Sequence, residues 1–327
     1  MIWVSWRRQR PQLITLLAML VVGAGVVVLL RSSMLDSITS SGLTECVTRT
    51  TQECSTNKSA GDFRAEWSTR LQLGQAAIIF LPVLIGLFIG APLFARELEQ
   101  GTHVLAFTQS VSRTRWMLSK LVVALVPALV VLIALQYLVW WWLTTAGVMG
   151  PRVNGSFQVF NFGIEHVSPV AYTLFAFAVG AFVGVVTRRT LVAMIVTLGA
   201  FTVLRFALFD VVTRVMTTQR EVVTSGLSPT ASRDASLVIS QGYLDAAGQP
   251  IAPDKVGAAV QACKATWTPE GQQEYVACLA KSDLGRRYAD FIPESQAWQA
   301  HLVDASIYGA LAVLLLVGTG WALRRQS

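Results

Sequence analysis

The chain has 327 residues, of which 53% are hydrophobic and only 14% are charged, with a net charge of +7 and a mean hydropathy of +0.53. A soluble protein carries about 25% charged residues, so the composition excludes an ordinary soluble domain. No nucleic-acid-binding motif accompanies the basic balance, which we attribute to membrane topology and anionic lipid instead of DNA or RNA.

The N-terminal segment, residues 1–12, combines indoles with a basic cluster. Trp3 and Trp6 stand beside Arg7 and Arg8, a pattern typical of a helix that lies flat in the membrane interface with its arginines against lipid phosphates. The alternative is a cleaved signal peptide. The following apolar run of about 18 residues is longer than the usual 7–15, and no A-x-A site follows it.

Six apolar stretches are each long enough to cross a bilayer, which takes about 20 residues. They predict transmembrane helices at 13–30, 73–94, 121–146, 169–187, 191–209 and 305–323. The predicted fold class is therefore an all-α polytopic membrane protein with six transmembrane helices. Arg205 is the only charged residue within these stretches. Carriers driven by protons or sodium usually need Asp, Glu or His in their spans, so this pattern argues against that class.

The charges between the spans predict the orientation. If the N-terminus is cytoplasmic, the cytosolic segments carry a net charge of +9 and the rest of the chain carries −2. The cytosolic segments are then 1–12, 95–120, 188–190 and 324–327, and the external ones are 31–72, 147–168 and 210–304. Because short basic loops stay in the cytosol, we expect a multi-pass protein of the cell's inner (plasma) membrane with both termini cytoplasmic.

All four cysteines lie in the two long external segments. An oxidising exterior favours disulfides, and pairing within a loop closes the shortest rings, although four cysteines allow three pairings. The expected pairs are Cys46–Cys54 and Cys263–Cys278. A metal site is the alternative, but the chain shows neither C-x-x-C spacing nor a nearby histidine, so no metal ligands are predicted.

The segment 210–304 is near the lower end of domain size and is predicted to be mainly helical. Apolar residues at helical spacing run through 254–265, and Pro269 is well placed to open a second helix.

Two stripes of small residues fall inside predicted spans. Gly86 and Gly90 form a GxxxG motif in the second span, and Ala176, Gly180 and Gly184 continue a stripe in the fourth. Small residues allow helix backbones to approach closely in lipid, but glycine is also simply common in membrane helices. Both interpretations remain open.

The cytosolic segment 95–120 is longer than the 2–8 residues that usually connect bundle helices. Gly101 is expected to break the helix of the second span, and Ser112 to begin an amphipathic helix with Arg113, Arg115 and Lys120. This much order predicts a docking surface, and the alternative is an ordinary solvated charged face.

The chain resembles actinobacterial permeases of the ABC-2 type. The resemblance rests on five pieces of sequence: RELEQGTHVLAFTQSVSRTRW at 96–116, W-x-x-W-R at 3–7, PVAYTLFAFAVGAFVG at 169–184, TRRTLVAM at 187–194 and FIPESQAWQ at 291–299. It implies a dimer of two permease copies in membrane lipid, joined by two copies of a separate ATPase subunit. ATP and Mg would then bind to the partner, and this chain would hold no cofactor.

The resemblance also implies roles for individual segments. The loop after the second span would be a coupling helix that contacts the ATPase, and residues 1–12 would be an interfacial connecting helix. The expected coupling residues are Glu97, Glu99, Gly101, Thr102, Arg113 and Arg115. Members of this group mostly export drugs, lipids or peptides.

The chain has no G-x-x-x-x-G-K-[ST] motif, so ATP hydrolysis is expected in the partner chain, and this chain is predicted to be a transport subunit without catalytic residues. Two alternatives remain. One is a polytopic membrane enzyme that uses Glu165 and His166 as a weak acid–base pair. The other is a receptor whose 210–304 domain binds a ligand.

Overall fold

A computed structural model describes residues 9–49, 54, 57–101, 112–224, 236–263, 269–282 and 284–325. The protein is mostly helical, and six of its helices are long and apolar enough to cross a membrane, which confirms the predicted fold class. The described residues divide between two compact units. The first lies within Met1–Val153, Val159–Thr213 and Gln299–Ser327, and the second within Asn154–Gln158 and Arg214–Trp298.

Eleven α-helices occur in the described part of the chain. They are α1 Arg10–Ser40, α2 Thr44–Thr48, α3 Lys58–Ile85, α4 Ala91–Glu99, α5 Arg113–Thr145, α6 Val159–Phe162, α7 Ser168–Thr187, α8 Thr190–Val215, α9 Pro253–Ala262, α10 Pro269–Lys281 and α11 Ala297–Arg325. Single 3₁₀ turns occupy Gly147–Met149, Pro151–Asn154 and Glu294–Gln296. The six candidate spans are α1, α3 with α4, α5, α7, α8 and α11.

Several helices run past the apolar stretches that predicted them. The second span and its extension form one 42-residue run, Lys58–Glu99. The last helix begins at Ala297, eight residues before the predicted span. Hydropathy reports only the apolar part of a helix, because polar residues such as Gln and Lys also have good helix propensity.

A π-helical turn, Gly86–Gly90, interrupts the second span between α3 and α4. Within it the backbone N–H of Ala91 donates to the carbonyl of Gly86, five residues earlier. Pro92 follows directly, and a proline ring clashes with the carbonyl four residues before it. The wider turn relieves that clash, which is a recognised cause of local distortion in long helices.

The two stripes of small residues pack against each other, with α7 lying against the π turn and α4. A Cβ atom at Gly86 would come within 2.7 Å of the carbonyl oxygen of Ala176, and one at Gly180 within 2.6 Å of the backbone nitrogen of Ala91. At Gly184 it would lie 2.7 Å from the Ala91 carbonyl oxygen. The close-packing interpretation of the stripes is therefore confirmed.

The second unit contains a three-stranded antiparallel sheet that the sequence analysis did not predict. Its strands are β1 Gln219–Thr224, β2 Leu237–Leu244 and β3 Arg286–Ile292, with β3 in the centre. The prediction of a mainly helical 210–304 segment was therefore wrong about the strands, although both predicted helices exist as α9 and α10. The central strand pairs with residues about 45 to 70 positions away, and such long-range pairing leaves only a weak local pattern.

Both predicted disulfides are present. The Cα atoms are 5.5 Å apart for Cys46 and Cys54 and 5.8 Å apart for Cys263 and Cys278. The second bridge joins the end of α9 to α10 and is part of the small apolar cluster beneath these helices.

Candidate functional site

Four helix ends meet at one end of the first unit, which we call the basic end. The Glu99 carboxylate, at the end of α4, accepts hydrogen bonds from the hydroxyl of Thr190 at 3.0 Å and from its backbone N–H at 3.4 Å. At the start of α5 the hydroxyl of Thr114 accepts from the guanidinium of Arg324, near the end of α11, at 3.4 Å. The predicted coupling segment thus leaves and enters helices whose ends are joined to α8 and α11.

An ion pair between Glu97 and Lys120 joins α4 to α5 at this end. Both side chains are largely buried, with 12% of Glu97 and 7% of Lys120 exposed. The ammonium group also lies 4.3 Å from the centre of the Trp116 ring, which packs on Phe94 of α4. Glu97, which we expected to contact a partner, is therefore engaged within the chain.

The helix break expected at Gly101 is confirmed. Helix α4 ends at Glu99, and Gly101 has a φ of +68°, the left-handed conformation that commonly ends helices and that glycine adopts without strain. The start of α5 is also as predicted, because the Ser112 hydroxyl accepts from the backbone N–H of Arg115 as an N-cap. The Glu99 and Arg115 side chains are exposed.

Several predicted site residues lie outside the described residues. These are Trp3, Trp6, Arg7, Arg8, Thr102 and the side chain of Arg113. Their predicted roles at the interface and in coupling stay predictions.

A second polar region, which we call the buried network, joins the fourth, fifth and sixth spans. It consists of Ser168, Tyr172, Arg205, His301, Asp304 and Tyr308. The Tyr172 hydroxyl donates to the Asp304 carboxylate at 2.5 Å, and Ser168 Oγ lies 2.8 Å from His301 Nδ1. These contacts fasten the start of α7 to α11.

Arg205 supplies the positive charge of the buried network. Its guanidinium lies 4.5 Å from the centre of the Tyr172 ring and acts electrostatically on Asp304. Tyr308 stacks edge-on against Tyr172 and donates to the carbonyl of Leu204 at 3.3 Å. The arginine and the acid therefore balance each other between three helices, as ionisable residues within membrane bundles usually do.

This network was not predicted, and the expectation of spans without Asp, Glu or His is wrong for the last candidate span. His301 and Asp304 are 0% and 1% exposed and belong to α11. They stand just ahead of the apolar run that defined the last predicted span, so hydropathy assigned them to the preceding loop. Their i, i+3 spacing, which puts both on one helix face, was the available signal.

Two glutamine side chains within the spans support the connection between α5 and α7 through hydrogen bonds. Gln75 Nε2 donates to Asn161 Oδ1 at 2.7 Å, and Asn161 in turn donates to a backbone carbonyl of the connection at 3.1 Å. Gln136 Nε2 donates to the carbonyls of Ile164 and His166, both at 2.9 Å. These polar groups therefore support an irregular backbone.

The proposed acid–base pair of the enzyme alternative, Glu165 and His166, lies in this connection. Glu165 is 6% exposed and pairs with Arg152, whose Nε is 3.3 Å from its Oε1. His301 joins the pair, so that one ligand atom from each of the three side chains lies within 4.8 Å of the others. The separation of 135 residues between His166 and His301 hid this grouping from the sequence analysis.

The second unit has an ion pair of its own, between the edge strand β1 and the central strand β3. The Arg220 guanidinium donates to both oxygens of Asp290, at 2.7 and 2.9 Å, and the Ser240 hydroxyl donates to the same carboxylate at 2.8 Å. The hydrogen bond from Arg220 and the one from Ser240 hold the pKa of Asp290 below its usual value. This pair is open to water on one side.

A family model described as ABC-2 membrane transporter related matches residues 17–213, a range that covers the second, third and fourth candidate spans and most of the first and fifth. No curated protein and no solved structure matches the chain. With six candidate spans and the matched region covering more than half of its length, this chain belongs to the ABC-2 membrane transporter related family and is of the transporter-permease type.

Proposed function

We propose that the chain is the membrane-spanning subunit of an ATP-driven exporter. Two copies would enclose the transport path, and two copies of a separate ATPase, with ATP and Mg, would bind the segment between α4 and α5. The family match and the joined helix ends of the basic end support this proposal. The substrate class is the one the resemblance suggests, a drug, a lipid or a peptide.

A movement of a partner bound at the basic end would reach several spans. The segment between Gln100 and Ser112 starts and finishes at helices that the buried Glu97–Lys120 pair fastens together. A displacement of this segment is thereby shared by α4 and α5. The contacts of Glu99 with α8 and of Thr114 with α11 extend it to two more spans, which is the way packed helices transmit a rigid-body shift.

The charge at the basic end supports a cytosolic position for it. Eight Lys and Arg residues flank the helix ends there against two acids, namely Arg96, Arg113, Arg115, Lys120, Arg188, Arg189, Arg324 and Arg325 against Glu97 and Glu99. Loops with such an excess of positive charge stay on the cytosolic side. An ATPase that draws on cytosolic ATP would find its docking segment on that side.

Co-purification tests the proposal. The full-length chain, tagged at its C-terminus, is isolated from its native membranes in mild detergent, and the eluate is assayed for Mg-dependent ATP hydrolysis. We expect an ATPase subunit to accompany the chain, and we expect the exposed-charge reversals Glu99→Lys and Arg115→Glu to reduce the accompanying activity at least tenfold.

The control is Lys255→Glu, an equally exposed charge reversal on α9 of the second unit, which should leave the ATPase bound. Size-exclusion profiles of all variants verify that the chain is intact. An eluate without ATPase, or one in which the basic-end variants behave as the control does, would overturn the proposed function.

A further inference from the structure

Three side chains that are chemically suited to a transition metal converge where the connection before α7 meets α11. Glu165 and His166 come from the connection, and His301 comes from the second turn of α11. One oxygen or nitrogen atom from each lies within 4.8 Å of the others. Glu165 and His301 are buried and His166 is exposed, so the group is closed on one side and accessible on the other.

The contacts of His301 indicate which of its ring nitrogens could bind a metal ion. Ser168 Oγ lies 2.8 Å from Nδ1. In the tautomer in which Nδ1–H donates to this oxygen, Nε2 bears a lone pair. Nε2 is fully buried and has no hydrogen-bond partner among the described residues.

The ring is placed as in metal-binding histidines. Such histidines almost always donate their second ring N–H to an oxygen that fixes the ring, and Ser168 Oγ is in position to accept it. Phe162 stacks on the ring of His301, 4.0 Å between centres, and holds its plane. A buried lone pair without a donor is unfavourable, and a bound cation would account for its presence.

The remaining ligands fit the same ion. Zinc holds nitrogen and oxygen ligands at about 2.0–2.1 Å, which places tetrahedral ligand atoms roughly 3.4 Å apart, so side-chain rotations that bring the three together by about 1.4 Å at most complete the site. Arg152 contacts one oxygen of Glu165, and a carboxylate has a second oxygen to offer. The two imidazoles are borderline ligands, and with one carboxylate they suit Zn²⁺ better than Mg²⁺ or Ca²⁺.

We propose that Glu165, His166 and His301 bind one Zn²⁺ ion, with the fourth position open to water. The sequence analysis predicted no metal ligands, because only two of the three lie close together in the chain. The ion would fasten the connection before α7 to α11, next to the buried network. This site is independent of the ATPase partner.

Zinc titration of the full-length protein tests the site. The chain is purified with an affinity tag that contains no histidine, stripped with a chelator, and titrated with Zn²⁺ against a chromophoric competitor. A parallel titration with Co²⁺ reports the ligand field by visible absorption. We expect one Zn²⁺ per chain, and at least a hundredfold loss of affinity in His301→Gln and Glu165→Gln.

Three further variants make the result decisive. The third histidine of the sequence, His103, gives the matched control His103→Gln, which should keep the stoichiometry and affinity. If His301→Gln does not fold, His166→Asn serves instead, since asparagine tolerates the left-handed backbone at this exposed position (φ +53°). Ser168→Ala should weaken binding about 10–100-fold, as loss of an orienting partner does. Sub-stoichiometric binding, or binding that His166→Asn leaves unchanged, would overturn the proposal.

Discussion

An ion pair joins two elements in each unit of the chain, Glu97–Lys120 in the first and Asp290–Arg220 in the second, and the two pairs differ in their access to water. In the first unit, Glu97 and Lys120 are 12% and 7% exposed. In the second unit, Asp290 and Arg220 are 20% and 48% exposed. Water can replace a lost partner in the second pair but not in the first. Two ion pairs of similar chemistry can therefore differ in their importance for stability, and burial decides the difference.

Removal of one partner of the buried pair is the strongest way to test this comparison. Glu97→Ala leaves the Lys120 ammonium buried without its counter-charge, and we expect it to destabilise the first unit by about 3–5 kcal/mol. The thermal unfolding midpoint of the detergent-purified chain measures the loss. The double variant Glu97→Leu with Lys120→Met removes both charges and should recover most of it. A single variant as stable as the wild type would show that water reaches the pair.

The second unit should depend more on its covalent link than on its ion pair. Its apolar cluster is small, and the Cys263–Cys278 bridge closes a ring of 15 residues. Replacing both cysteines by serine should cost about 3 kcal/mol. Hydrogen exchange of the full chain should show lost protection in β3 and unchanged protection in α7. The Cys46–Cys54 pair, replaced in the same way, is the control and should leave β3 protected.

A contact without any charge separates the effect of burial on stability from that of electrostatics. Gly180→Ala places a methyl group 2.6 Å from backbone atoms of the second span, where no side chain can give way, and should destabilise the chain by about 1–3 kcal/mol. Gly199→Ala is the matched control on α8, where a Cβ meets no atom of the described residues within 4 Å. Helix propensity predicts that the control is neutral or slightly stabilising. Equal midpoints for the two variants would contradict the close contact.

The exposed pair should give the smallest effect and a characteristic pH dependence. The Arg220 hydrogen bond lowers the pKa of Asp290 in the folded protein, so its contribution is present above the unfolded value of about 3.9 and is lost as the pH falls through the lower folded value. Asp290→Asn should therefore lower the unfolding midpoint slightly and constantly above about pH 5. The difference from the wild type should close as the pH drops below about 3.9. A difference that persists in acid would contradict this origin.

Much of the first unit was predictable because the membrane imposes simple rules on sequence. The length of the apolar stretches predicted the spans, and ring size predicted the disulfide pairs. The spacing of small residues in the second and fourth spans indicated close contact as one of two interpretations that the sequence left open. Pro269 opens α10 as its local chemistry suggested. In each case the relevant partners lie close in sequence or follow a fixed period.

The features that could not be predicted depend on residues far apart in the sequence or on where a helix begins. Asp304 and His301 are recognisable as buried only once Ser168 and Tyr172 stand opposite them, and a hydropathy threshold placed them in a loop. The sheet of the second unit brings β1 next to β3 across about 65 residues, so no local alternation specifies it. Gln75 and Gln136 were visible as polar residues in spans, but the carbonyl groups that they support were not.

Those two glutamines have a consequence for where the connection between α5 and α7 can lie. Irregular backbone is excluded from hydrocarbon because unsatisfied carbonyl groups are strongly unfavourable there, except where protein groups replace the missing water. Through Gln75, Asn161 and Gln136, side-chain amides supply such replacement donors from two spans. The irregular backbone of this stretch thus has side-chain donors of the kind that a re-entrant loop requires, which an ordinary surface turn takes from water instead.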